Sequence, residues 1–370
     1  MLELQRNRWL DVCRALAITL VVFSHGRRLL TPFVPSLDVL KFGGFLGVEL
    51  FFVLSGFLIG RILLSHLQRE STFSWVPKFW VRRWARTLPA YWFYIALNLT
   101  LLAIGWRTAD NFLLWRYLTF TQNLVAPHPS FMPEAWSLSI EELFYFGTPL
   151  LMTTLAATRG GERAFVISTA LTLLFFFGLR TAITLTINPE FDEGLRKVAM
   201  LRLDAIAIGL LLAWSLRKRD ASIVTRGRAR IWIPLGLLCF FGAAVLTMLP
   251  NAWIEGSVAL KIALFPMAGL GAAALIAWGL PKAIPLPLAS IGNFIAAISY
   301  SAYLANLAVL SALLALFGEP HNAVAGVVMW CGFLAGTISL SWITRRMIEM
   351  PALAWRERAT RQSANDRLGV

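Results

Sequence analysis

Apolar runs of about twenty residues recur along the whole chain and alternate with short segments rich in charged residues, Gly or Pro. A helix needs a run of that length to cross the hydrocarbon core of a bilayer. Residues 107–133 are too polar for a span and are interpreted as a partly buried loop or re-entrant segment. The pattern therefore predicts an all-α polytopic membrane protein with about ten transmembrane helices, at residues 10–26, 45–64, 88–104, 138–157, 164–187, 198–216, 231–249, 258–279, 291–317 and 324–343.

The composition supports this membrane assignment. Hydrophobic residues make up 58% of the 370 residues and charged residues only 15%, whereas a soluble domain carries about 25% charged residues. The cysteines and histidines are scattered without the spacing of a metal site or a disulfide framework, so no metal is expected. We predict a transmembrane domain over residues 1–350, a short basic tail over residues 351–370, and no attached soluble domain.

The net charge of +14 comes largely from cations in the connections that follow even-numbered spans, such as residues 217–230, and in the tail. Cytoplasmic loops of membrane proteins collect Lys and Arg, so both termini are predicted to be cytoplasmic. Anionic lipid headgroups attract such loops. The basic loops are therefore expected to contact membrane lipid, and the protein is not expected to bind nucleic acid.

The first predicted span contains Arg14 and His25, with ten uncharged residues between them. Eleven residues correspond to about three helical turns, so both side chains lie on one face, about 16 Å apart. Ionisable groups at membrane depth are costly and mark candidate functional sites. Asp11 is placed to pair with Arg14 from three residues away.

A second candidate group is the pair Arg83 and Arg86, placed just before Pro89 and the third predicted span. Side chains three residues apart on a helix face the same way. Two guanidinium groups arranged like this suit phosphate, which they bind bidentately. An ordinary cytoplasmic membrane anchor is the alternative interpretation.

Carboxylates inside the predicted spans form a third group. Glu141 lies just inside the fourth span and needs a partner, which is His25, an arginine or a substrate hydroxyl. Glu49 is either functional or solvated at the membrane edge. Arg202 and Asp204 are expected to make intramembrane polar contacts, structural or functional.

Two classes of function remain open from these residues alone. One is a membrane enzyme that binds a phosphate-bearing donor on the cytoplasmic side and uses His25 as a general base. The other is a transporter or proton relay that uses the same buried charges. Residue spacing does not separate the two.

Several motifs, taken together and in order, resemble the acyltransferase-3 family of multi-span membrane acyltransferases. They are Arg14 with His25, GVELFFVLSGF at residues 47–57, Arg83 with Arg86 and Pro89, WSLSIEELFYF at residues 136–146, RLDAIAIG at residues 202–209, ISYSAYLAN at residues 298–306, and Glu349 with Pro351. The resemblance extends from the first predicted span to the end of the last. The alternative is a non-catalytic transporter or flippase that has kept this scaffold.

The resemblance implies transfer of an acyl group, often acetyl, from cytoplasmic acyl-CoA in a bacterial inner membrane. The acceptor would be a hydroxyl of a surface glycan, exopolysaccharide or lipid-linked sugar, or in some members of a macrolide antibiotic. His25 becomes the candidate catalytic base or acyl relay, and Glu141 a candidate acid/base or orienting partner. Arg14 becomes a donor-binding or charge-stabilising group, and Arg83 and Arg86 become candidate contacts to the phosphates of CoA.

These assignments lead to a hypothesis about geometry, in which a thioester arm passes from the arginines along one path to His25. The hypothesis fails if Arg14 and His25 face lipid or open into separate cavities. One departure from the family concerns Asn306, which stands where many members have a histidine. Asparagine cannot act as a base near neutral pH, so His25 is left to act alone or with Glu141. Without an attached domain to pass the acyl group onward, transfer to the acceptor in the membrane core is the simpler expectation.

Overall fold

The computed structural model describes residues 7–69, 72–109, 112–217 and 229–358. Within these ranges the protein is helical and contains no strand, which confirms the all-α fold class. The α-helices are α1 (Arg8–Gly26), α2 (Phe42–Leu67), α3 (Val76–Ala103), α4 (Leu114–Leu118), α5 (Trp136–Arg159), α6 (Gly161–Thr186), α7 (Leu203–Ser215), α8 (Ala229–Met248), α9 (Asn251–Glu255), α10 (Val258–Gly279), α11 (Leu286–Phe317) and α12 (Ala323–Thr344).

Seven helical segments in the described ranges are long and apolar enough to cross a membrane, and they contain α1, α2, α6, α8, α10, α11 and α12. The three other predicted spans correspond to α3, α5 and α7. Helices α3 and α5 have 28 and 24 residues but carry charged side chains, and α7 has only 13 residues. The structure therefore supports seven of the ten predicted spans by length and composition.

The start of α3 lies well before residue 88, where the hydropathy pattern places it. The basic segment with Arg82, Arg83 and Arg86 is helical and continuous with the apolar part of α3. Pro77 stands at the start of this helix, where its missing N–H is not needed. The two predicted phosphate-binding arginines therefore lie one turn apart on a helix that continues into the bundle.

The core forms where α1 packs against α2 and α11, and α2 packs against α7. At the crossing of α2 and α7, Gly56 faces Gly209 so closely that neither position can take a side chain. A Cβ atom on Gly56 would lie 2.0 Å from the carbonyl oxygen of Ile206, and one on Gly209 would lie 2.2 Å from that of Val53. The backbones of α2 and α7 therefore approach closely at this crossing.

Two buried ion pairs join α2, α6 and α7 inside the bundle. Arg202, which precedes α7, donates a hydrogen bond to Glu49 of α2. Arg180 of α6 contacts both carboxylate oxygens of Asp204, at 2.8 and 2.7 Å. Glu49 is only 1% exposed, so it is not solvated at the membrane edge. Arg202 and Asp204 therefore do make polar contacts inside the bundle, each with a partner on another helix.

Some predictions fall outside the described residues. The structure does not describe the tail beyond residue 358. It also does not describe four cations that contribute to the predicted charge asymmetry, namely Lys218, Arg219, Arg226 and Arg228. Residues 351–358 of the predicted tail are described and are helical. The cytoplasmic position of both termini stays a prediction.

Candidate functional site

Two cavities lie near opposite ends of α1. We call the one lined by Arg14, toward the start of α1, the near cavity, and the one lined by His25, at its end, the far cavity. The hypothesis of one path that contains both side chains is therefore wrong for this conformation. The two cavities nevertheless meet, because Val48 and Tyr303 line both of them.

The near cavity, with a volume of about 260 Å³, brings together four of the five residues predicted for the site. Arg14 comes from α1, Arg83 and Arg86 from α3, and Glu141 from α5. Helix α2 supplies an apolar wall opposite these charges. The wall consists of Phe51, Phe52, Leu54, Leu58, Ile59 and Ile62.

The arginines of the near cavity differ in how they are held. The guanidinium carbon of Arg83 lies 4.2 Å from the centroid of the Tyr145 ring. Its Nε atom has no hydrogen-bond partner among the described residues. Arg14 contacts Asp11 at 3.4 Å, which is the local pair expected from the sequence. Arg86 is exposed, one helical turn after Arg83. Guanidinium groups held in this way can bind an anion that enters the cavity.

Glu141 belongs to the near cavity and not to the cavity of His25. Its Oε2 atom accepts a hydrogen bond of 3.0 Å from the hydroxyl of Tyr145, which also contacts Ser55. Of the partners considered for Glu141, His25 is therefore excluded in this conformation. The neighbouring Glu142 is buried and accepts hydrogen bonds from Trp84 and Thr87 of α3.

The far cavity has a volume of about 320 Å³ and a lining in which both signs of charge are balanced. Ion pairs hold most of these side chains. Asp192 contacts Arg196 at 2.5 Å and Lys197 at 2.8 Å. Glu255 contacts Lys261, which does not line the cavity, at 2.7 Å. The charged residues that line the cavity are Arg27, Lys41, Glu134, Glu190, Asp192, Arg196, Lys197 and Glu255.

Asp192 lies in a helical turn between α6 and α7, outside the segments that could cross the membrane. Burial by itself raises the pKa of its carboxyl, but Arg196 and Lys197 outweigh burial and hold that pKa well below its usual range. The carboxyl is therefore ionised at neutral pH. Its negative charge therefore offsets one of the two cations, Arg196 and Lys197, that line the far cavity with it.

His25 is held by a side chain from the other end of the sequence. Its Nδ1 atom lies 2.6 Å from the Oδ1 atom of Asn306, on α11. The Nδ2 atom of Asn306 donates to the carbonyl oxygens of Ala302 and Tyr303, at 3.0 and 2.8 Å. Asn306, singled out by its departure from the family, is therefore the partner of His25.

The wall between the two cavities is built around Tyr303 of α11. Its hydroxyl lies 2.7 Å from the Oγ atom of Ser137, at the start of α5. Its ring meets the ring of Phe51 edge-on, with 6.4 Å between the centroids. Sequence reasoning gave these residues no role, although Tyr303 and Ser137 both belong to motifs that it singled out.

Comparison with known proteins identifies the domain. A family model described as an acyltransferase domain of the acyltransferase-3 type matches residues 7–346. The O-acetyltransferase OatA of Staphylococcus aureus strain NCTC 8325 is 37% identical over 130 residues, which cover 30% of this chain and 21% of OatA. A protein of S. aureus strain COL, provisionally named an O-acetyltransferase, is 32% identical over 170 residues, which cover 40% of this chain and 25% of that protein.

The chain thus spans about a quarter of the length of the curated relatives that it matches. No solved structure matches it. The family match, by contrast, covers nearly the whole chain and includes every helix that lines the two cavities. The chain therefore belongs to the acyltransferase-3 family, and its domain is that of an acyltransferase.

Proposed function

We propose that this protein transfers an acetyl or other short acyl group from acyl-CoA in the near cavity to a hydroxyl of a glycan in the far cavity. The near cavity faces the cytoplasm of a bacterium, and the membrane is its inner membrane. The acceptor is a surface polysaccharide or a lipid-linked sugar. The observation that carries this proposal is that the arginines and His25 line two cavities that meet at a single wall.

The chemistry of the near cavity supports acyl-CoA as the donor. Three arginines and one glutamate line it, so a polyanion is favoured there. Guanidinium groups bind phosphate through paired, charge-assisted hydrogen bonds. The apolar wall on α2 suits the uncharged arm that carries the thioester. The arm would point from the arginines toward Tyr303.

The chemistry of the far cavity supports a neutral polyhydroxylated acceptor. Its charges are mostly paired, so a ligand with strong net charge has little to gain from them. Its polar atoms suit hydroxyl groups, and His25 offers an imidazole to take a hydroxyl proton. The names of the S. aureus relatives describe O-acetylation, which agrees with a hydroxyl acceptor.

In the reaction, the Tyr303 wall opens only when both substrates are bound, so that the thioester meets the acceptor hydroxyl. The acceptor oxygen then attacks the thioester carbonyl while His25 takes its proton. The carbon–sulfur bond then breaks, and the thiolate of CoA leaves with that proton. A transporter or flippase would also use cavities at both faces. It would bind the glycan without consuming acyl-CoA, so acyl-CoA consumption by the purified protein in lipid separates the two functions.

Substitution of Arg83 by glutamine should weaken acetyl-CoA binding by roughly 10- to 100-fold, the value of one or two charge-assisted hydrogen bonds. The matched control is Arg82→Gln, because Arg82 is exposed and does not line the near cavity. Binding is measured by calorimetry on the protein in lipid nanodiscs. Equal affinities in the two variants would remove Arg83 from the donor site.

Substitution of Tyr303 by alanine should join the two cavities and raise acetyl-CoA hydrolysis in the absence of acceptor several-fold. The reason is that water from the far cavity would reach the thioester. The control Tyr303→Phe keeps the ring and loses only the contact with Ser137. Thiol release is measured with and without a glycan extract. If alanine leaves acceptor-free hydrolysis at the wild-type rate, Tyr303 does not separate the two substrates.

A further inference from the structure

The side-chain amide of Asn306 has only one orientation that satisfies its surroundings. One end of the amide faces the carbonyl oxygens of Ala302 and Tyr303. Carbonyl oxygens accept hydrogen bonds and cannot donate them. The end that faces them must therefore be the NH2 group, and the end that faces His25 must be the oxygen.

This orientation fixes the tautomer of the histidine. The Oδ1 atom of Asn306 is an acceptor, so the Nδ1 atom of His25, 2.6 Å away, must carry a hydrogen. A neutral imidazole has one N–H and one bare nitrogen, and the partner of one nitrogen decides the state of the other. Nε2 is then the bare nitrogen. Within the described ranges Nε2 makes no hydrogen bond, and His25 is part of the far-cavity lining.

We propose that Asn306 is a positioning residue that holds His25 in the Nδ1–H tautomer, with Nε2 as the base presented to the acceptor hydroxyl. The expected effect of Asn306 on turnover rests on the proposed acyl transfer. The tautomer of His25 does not depend on that proposal. Asn306 itself transfers no proton. In other proteins a carboxylate can orient a catalytic histidine by accepting the hydrogen on Nδ1. Here a neutral amide accepts it, and a neutral amide costs less to bury inside a helix bundle than a charged carboxylate does.

The proton path follows from this tautomer. Nε2 takes the hydrogen of the acceptor hydroxyl as its oxygen bonds to the acyl carbon. The resulting imidazolium keeps its Nδ1–H bond to Asn306 and returns the Nε2 hydrogen to the departing thiolate of CoA. In the other tautomer, Nε2 already carries a hydrogen and cannot accept another without first losing it.

The direct test is the ¹⁵N spectrum of histidine-labelled protein in lipid, in which N–H and bare imidazole nitrogens are resolved. The signals of His25 are assigned by their loss in His25→Gln. We expect a hydrogen on Nδ1 in the wild type and in Asn306→Asp, whose carboxylate also accepts. We expect Asn306→Leu, which has a similar shape and no acceptor, to shift the hydrogen toward Nε2. An Nε2–H signal in the wild type, or an Nδ1–H signal that survives in Asn306→Leu, overturns the inference.

The kinetic test uses the same variants. Asn306→Leu should lower kcat by about 10- to 100-fold with little change in KM for acetyl-CoA, as loss of an orienting partner does elsewhere. Asn306→Asp should restore turnover. Its carboxylate favours the imidazolium, so its half-maximal activity should move to higher pH. The charged residues that line the far cavity with His25 are unchanged in all variants; they are Arg27, Lys41, Glu134, Glu190, Asp192, Arg196, Lys197 and Glu255.

The kinetic outcomes separate the two proposals. An inactive wild type counts against acyl transfer, and the spectrum still decides the role of Asn306. An active wild type with equal kcat in Asn306→Leu and Asn306→Asp, and superimposable pH profiles, counts against Asn306 alone.

Discussion

Replacement of His25 by glutamine should reduce acyl transfer by roughly 10²- to 10⁴-fold, the usual contribution of a positioned general base. Glutamine keeps a polar side chain of similar size that can still contact Asn306, but it cannot take a proton from a hydroxyl. Acetyl-CoA affinity should stay at the wild-type value, because His25 lies in the far cavity and the arginines lie in the near cavity.

The measurement combines two readings on protein in lipid nanodiscs: acetyl-CoA binding, and acetyl transfer to a glycan extract. The control is His321→Gln, since His321 is exposed and lines neither cavity. A variant at His25 that retains turnover would remove the general base from the mechanism. A variant that loses turnover and binding together would place His25 in the donor site instead.

The charged residues of the near cavity could be identified from the sequence, because local rules determine most of their pairings, but their meeting in one cavity was not predicted. Arg83 and Arg86 are one turn apart on the same helix, and Asp11 contacts Arg14 from the same helix. Periodicity alone placed each pair on one face. Charge at membrane depth then marked Glu141 as a residue in need of a partner. The structure brings these separate predictions into one cavity.

The far cavity could not be predicted in this way because its key contact is long-range. His25 and Asn306 are 281 positions apart, and the wall pair Ser137 and Tyr303 are 166 apart. Helical periodicity gives the direction of a side chain on its own helix, but not which helix lies opposite. The same limit explains why Glu141 was considered as a partner for His25, although the two lie in different cavities.

The hydropathy pattern gave wrong or incomplete predictions where charged residues are buried inside the bundle. The start of α3 carries several cations, so the apolar pattern placed that helix too late, although the residues are helical from Val76. For Glu49, solvation at the membrane edge stayed open as one of two alternatives, because its partner Arg202 is 153 residues away. An isolated charge in an apolar run has no visible partner in the sequence, and only the packed structure supplies one.

Substitution of Glu49 by leucine should be strongly destabilising, with a loss of about 3–5 kcal/mol in unfolding free energy. The change removes the carboxylate that pairs with Arg202. The Arg202 side chain stays buried, at 0% exposure, and its guanidinium carbon lies 4.2 Å from the centroid of the Phe265 ring. The energetic cost therefore comes from the cation that remains. The double substitution Glu49→Leu/Arg202→Met removes both charges and should be less destabilising than the single one, because no unpaired charge is left in the bundle.

The matched control uses the same substitution at an exposed pair. Glu319 contacts Arg28 at 2.7 Å, with side chains 59% and 61% exposed. Solvent screens such pairs, so Glu319→Leu should cost no more than about 1 kcal/mol. Unfolding in detergent, followed by circular dichroism and by retention on size exclusion, ranks the variants. The prediction is contradicted if Glu49→Leu loses no more unfolding free energy than Glu319→Leu does, or less than the double variant does. Glu49 would then not be needed to compensate the buried charge of Arg202. In that case Glu49 and Arg202 would have to be considered as a site for protons or substrate.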